Sequence, residues 1–129
     1  MVDDKEIIRC IPGDEVAYAV GAKKYMAWSL KNIGSSPNSH SISIEMCVNA
    51  DGDFWKMYSN TARLVAELMY HMQTDANHII RHYDVTGKIC PAFFVDNKKA
   101  QQYIGKDAAT AWAEFKGNCD RLHKIVISE

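Results

Sequence analysis

His82 and Cys90 stand eight positions apart in Arg81-His82-Tyr83-Asp84-Val85-Thr86-Gly87-Lys88-Ile89-Cys90-Pro91, on either side of a Thr-Gly turn. An imidazole nitrogen and a thiolate are two of the donors that Zn2+ prefers, and a catalytic zinc takes three protein ligands plus one water. Lys88, two residues before the cysteine, would add a mobile cation where an oxyanion develops. The competing reading is a core histidine and a core cysteine that share a loop, since a free Cys often behaves as a small hydrophobe.

Glu45 is the second residue with chemistry to offer. It lies in Ser41-Ile42-Ser43-Ile44-Glu45-Met46-Cys47-Val48-Asn49. Period-two alternation puts Ile42, Ile44, Met46 and Val48 on one face and Ser41, Ser43, Glu45 and Cys47 on the other. By that pattern Glu45 is either a solvated residue on an outer face or a carboxylate pointing into a cleft.

The elements that must position these groups are short. Ile7–Ile11 reads as a strand closed by Pro12-Gly13, and Asp3-Asp4-Lys5 before it is hairpin turn chemistry. Only Met1 and Val2 stand ahead of that turn. A hairpin with two residues on one side is not self-sufficient, so the expectation is a partner strand supplied from elsewhere or a lost first element. Ser41–Asn49 reads as a second strand and Asn77–His82 as a third, which would deliver His82 at its end. Gly34–Ser39 is a loop by composition.

Between these segments, Phe54 to Met72 carries a helical stripe of Thr61, Val65, Leu68, Met69 and Met72. A second helix is expected from Asp107 to about Leu122, with Ala108, Ala111, Trp112 and Phe115 on one face. His71 would sit at the C-terminal end of the first helix, where the helix dipole favours a cation, as a structural or solvated residue. Strand, strand, helix, strand, helix predicts an α/β fold: one mixed central sheet flanked by helices.

The chain has 129 residues, a formal net charge of −1, 47% hydrophobic and 24% charged residues. That is one domain of ordinary globular composition, long enough to bury a core. A near-neutral charge argues against a nucleic-acid binder working by phosphate neutralisation. No apolar run is long enough to span a membrane. The start, Met1-Val2-Asp3-Asp4-Lys5-Glu6, lacks the basic and apolar regions of a signal peptide, which predicts synthesis in the cytoplasm. Cys10, Cys47, Cys90 and Cys119 are scattered and read as reduced thiols.

Taken in order, Val2-Asp3-Asp4-Lys5-Glu6-Ile7-Ile8-Arg9-Cys10-Ile11-Pro12, Ser41–Cys47 and His82–Pro91 resemble the type 2 N-acetylmuramoyl-L-alanine amidases. That family includes phage and prophage endolysins and the peptidoglycan recognition proteins. The resemblance runs from Val2 to about Phe115. It implies a zinc hydrolase that cleaves the amide between N-acetylmuramic acid and L-alanine, with bacterial peptidoglycan as its partner and the cell wall as its place of action. It implies His82 and Cys90 as metal ligands. It also makes Glu45 the carboxylate that activates the attacking water and Lys88 the cation that steadies the tetrahedral intermediate.

The family's first zinc histidine lies upstream of the Val-Asp-Asp-Lys hairpin, and this chain holds no matching motif. His40, His71, His78 and His123 stand at none of the corresponding positions. Relatives also commonly carry a histidine close to where Ala19 stands. The resemblance therefore predicts an N-terminally truncated domain with two of three ligands and impaired turnover. The alternative it leaves open is a non-catalytic peptidoglycan-binding module. A third, from another class, is an interaction protein in which His82 and Cys90 are inert.

Overall fold

The computed structural model describes residues 1–129. Five α-helices carry the architecture: α1 (Ala27–Asn32), α2 (Phe54–His71), α3 (His82–Thr86), α4 (Asn97–Tyr103) and α5 (Ala108–Ser128). Short 3-10 turns at Pro37–His40, Ala76–His78 and Ala92–Phe94 punctuate the connections.

The core forms where α2 lies against α5. Met57, Tyr58, Ala62, Val65 and Met69 of α2 are buried against Ala111, Phe115 and Cys119 of α5, with Phe93 and Phe94 closing one end. Burying each larger side chain contributes on the order of 1.5–3 kcal/mol. The aromatic rings interlock: Tyr58 meets Phe115 edge-on at 5.2 Å and Phe94 sits 5.0 Å from Phe115. Each of the longer helices begins at an aspartate. Asp53 accepts the N–H of Lys56 at 3.1 Å and Asp107 that of Thr110 at 2.9 Å, satisfying donors that a helix start leaves free.

Both helices match the sequence pattern. α2 spans Phe54–His71 with Met72 as its C-cap, and Val65 and Met69 are buried while Leu68 is partly so. α5 starts at the expected place, but it continues to Ser128, six residues beyond Leu122.

The expected α/β sheet is absent, and this corrects the sequence reading. No strand forms; two isolated bridges, antiparallel Val2–Ile7 and parallel Val2–Met46, are all the pairing there is. Ile7–Ile11 pairs only at its first two residues, through Val2–Ile7 and the exchange between Met1 and Ile8 (N–H to O 2.9 Å and 2.8 Å). Beyond that, nothing lies alongside to extend a ladder.

Ser41–Asn49 has one neighbour, the two-residue piece around Val2, so its pairing stops at the Glu45 carbonyl and the Cys47 N–H. Its side-chain alternation nevertheless holds at the centre: Ile44 and Met46 pack on the core while Ser43 and Glu45 are exposed. A period-two pattern records which face is buried, and a sheet also needs a paired edge.

Asn77–His82 is not a strand either. The Asp75 side chain takes the Asn77 N–H at 2.9 Å and the His78 ring at 3.0 Å, which folds Ala76–His78 into a 3-10 turn. Local side-chain acceptors of this kind compete with extended structure. His82 consequently opens a helix, where the strand reading had it closing a strand.

Candidate active site

α3 is a five-residue helix, too short to stand on its own propensity. Its start is fixed by Asp84, which accepts the backbone N–H of Arg81 at 2.8 Å. Its end is fixed by Gly87 at φ 81°, in the left-handed region where a Cβ is strained. The Gly87 N–H donates to the Tyr83 carbonyl at 2.8 Å, and the chain reverses there into Lys88, Ile89 and Cys90. This is the Thr-Gly turn of the sequence, acting as a helix terminator. On the other side α1 packs against α3, and the Met26 N–H donates to the Val85 carbonyl at 2.8 Å. Cys90 closes the loop back on the helix start: its carbonyl accepts the Tyr83 N–H at 3.1 Å, and the Cys90–Pro91 peptide is cis.

His82 and Cys90 are both partly buried, whereas Glu45 and Lys88 are exposed. Burial pushes the His82 imidazole below its usual range, the Lys88 charge lowers it further, and the Glu45 charge opposes both. For Cys90, burial pushes the thiol up, Lys88 pulls it down and Glu45 adds to the rise. The same cation and the same carboxylate therefore act on both the ring and the thiol.

A neutral imidazole offers the lone pair a metal needs, and desolvation favours that form. The thiol must lose its proton to ligate, which a nearby Lys88 assists. The donor chemistry therefore fits zinc, with one nitrogen and one sulfur. No group of three His, Cys, Asp or Glu side chains that could hold a metal stands together in the chain.

The remaining histidines lie elsewhere. His40 is exposed, with its ring on the Ser36 carbonyl at 2.9 Å, and His78 pairs with Asp75. His71 is the exposed last residue of α2, and His123 lies along α5. The four cysteines are free thiols, as the sequence suggested, and Cys119 is fully buried in the core.

The sequence reading passed over the pair Arg81 and Asp84. Their side chains join through Nη2 to Oδ1 at 2.8 Å and Nε to Oδ2 at 3.1 Å. An acidic residue at the third position of a helix, able to reach back to the cap, was the available signal.

Against known proteins, the family described as N-acetylmuramoyl-L-alanine amidase (Amidase_2) matches residues 1–93. Among curated proteins, the chain is 43% identical over 99 residues to the N-acetylmuramoyl-L-alanine amidase CwlL of Bacillus licheniformis, covering 74% of this chain and 26% of that protein. It is 34% identical over 96 residues to CwlH of Bacillus subtilis (strain 168), covering 74% of this chain and 35% of the relative. XlyA of the same organism is 34% identical over 95 residues, covering 74% and 29%.

This chain belongs to the type 2 N-acetylmuramoyl-L-alanine amidase family. It spans about a quarter to a third of the length of these curated relatives. No solved structure matches it. The matched region includes Glu45, His82, Lys88 and Cys90 and ends at Phe93, so α4 and α5 lie beyond it.

Proposed function

We propose that this chain is a zinc-dependent N-acetylmuramoyl-L-alanine amidase domain, impaired by the missing third ligand, acting on the bond between N-acetylmuramic acid and L-alanine in bacterial peptidoglycan. The observation that carries the reading is the Tyr83 N–H bond to the Cys90 carbonyl at 3.1 Å, which joins the His82 and Cys90 segments, with Lys88 and Glu45 charges bearing on both side chains. Family membership supplies the substrate class. The relatives are named as amidases of this kind.

In this reading His82 and Cys90 would hold zinc. A bound catalytic zinc lowers the pKa of water to about 7 and polarises a carbonyl. Glu45, exposed beside the pair, takes a proton from the attacking water and returns it to the departing amine of L-alanine. Lys88, on the turn that Gly87 sets, places its ammonium against the oxygen on which negative charge builds. The partly buried ring and thiol exclude water from one side, which strengthens both charge interactions.

Two donors hold zinc less tightly than three, and no group of three candidate ligand side chains stands together in these 129 residues. The same observation favours a second reading, a peptidoglycan-binding module that does not turn over. Release of stem peptide from purified cell walls, with and without added zinc, separates the two. Zinc-dependent release supports the amidase, and retention on insoluble peptidoglycan without release supports the module. Neither binding nor release contradicts both.

A further inference from the structure

We infer that Arg81 is the positioning residue of this site: its guanidinium fastens the His82 segment and the Cys90 segment to each other and to α5. The inference rests on the metal reading above for its consequence, though not for its geometry. Arg81 immediately precedes His82 and uses three of its side-chain nitrogens at once. Nε and Nη2 grip both oxygens of Asp84 inside α3, at 3.1 Å and 2.8 Å. Nη1 donates to the Phe94 carbonyl at 2.8 Å, across thirteen positions and just past Cys90.

The guanidinium carbon also lies 5.2 Å from the centroids of both Tyr83 and Trp112, the latter on α5. The pair is largely sheltered, with side-chain exposures of 17% for Arg81 and 24% for Asp84.

The Thr86 hydroxyl also links the two segments, accepting the Lys88 N–H at 3.3 Å, but only across the turn between them. The one direct link between them at the donors is the Tyr83 N–H on the Cys90 carbonyl. That bond needs the helix start and the turn at Pro91–Phe94 held in register, and Arg81 supplies this from behind. A planar fork with fixed donors is required; the lysine ammonium reaches a single point and cannot make the bidentate grip and the third bond together. A misplaced donor pair loses metal affinity, and supporting contacts of this kind are typically worth about 10- to 100-fold.

The test compares Arg81→Lys with the parent chain by residue-resolved amide exchange and by Co2+ titration. In the variant, the Tyr83 amide is expected to exchange at least about tenfold faster while the central α2 and α5 amides keep their protection. Co2+ affinity is expected to fall about 10- to 100-fold. Asp84→Asn, which breaks the grip but spares the Phe94 bond, should shift both in the same direction by less, and serves if Arg81→Lys does not fold. Unchanged Tyr83 protection overturns the inference, as does uniform loss across α2 and α5. A parent chain that binds no Co2+ removes the metal reading alone, and the exchange result then decides the role of Arg81.

Discussion

The Val2 N–H donates to the Glu45 carbonyl at 2.8 Å, and the Val2 carbonyl takes the Cys47 N–H at 2.8 Å. Val2 is fully buried, with 0% exposure. One residue near the N-terminus thus sets the height of the segment that presents Glu45. Val2→Ala should lower unfolding free energy by about 1.5–3 kcal/mol, measured by urea denaturation. Because it also loosens the Glu45 backbone, any hydrolytic activity should fall by more than the loss of folded protein explains.

In the proposed site Glu45 transfers a proton and does not bind metal. Glu45→Gln should leave Co2+ or Zn2+ uptake within about twofold of the parent, and cut stem-peptide release by roughly 10²–10⁴-fold, the span of general acid–base help. A matching loss of metal would move Glu45 into the ligand set.

Gly87 ends α3 with a left-handed backbone and so directs Lys88 and Cys90. An added Cβ there meets Met26 Sδ at 3.4 Å, ordinary contact, so the cost of Gly87→Ala is conformational. It should destabilise the fold by about 1–2 kcal/mol. Adding the same atoms at an open, right-handed position has no such cost, which makes Gly117→Ala on α5 the control: it should be neutral or stabilising.

Alkaline stability is set by two buried groups in the α2–α5 core. Burial pushes the Cys119 thiol up to about 12 from 9.0 and raises the Tyr58 hydroxyl above 10.0. A folded-state value above the unfolded one means the unfolded chain releases its proton first. Stability from Cys119 is therefore intact below pH 9 and lost progressively as pH rises toward 12. Chemical denaturation at pH 7, 9 and 10.5 should show that decline, and Cys119→Ala should flatten it while lowering stability at pH 7.

The helices were legible because their signals are local. A 3.6-residue stripe and an aspartate cap lie within one segment, and both α2 and α5 begin where those signals place them. The sheet was misread because pairing is not local. Alternation in Ser41–Asn49 correctly turned Ile44 and Met46 inward, yet nothing in that segment says what lies along its edge. The Asn77–His82 segment was misread for a different reason: Asp75 and Asp84 capture backbone N–H groups and fold it into turns on both sides of Ile79 and Ile80. The candidate site was legible as a set of residue types. What the sequence hid was the grip of Arg81 on Asp84 and on the Phe94 carbonyl, thirteen positions away.

The central claim is that His82 and Cys90 bind one metal ion together, and the Co2+ absorption spectrum of the purified chain tests it most directly. A thiolate bound to cobalt gives a sulfur-to-metal charge-transfer band. The account predicts that band in the parent chain, its loss in Cys90→Ser, and a marked weakening in His82→Ala, with Cys10→Ser and Cys47→Ser unchanged. No band in the parent, or a band that survives in Cys90→Ser, would contradict it.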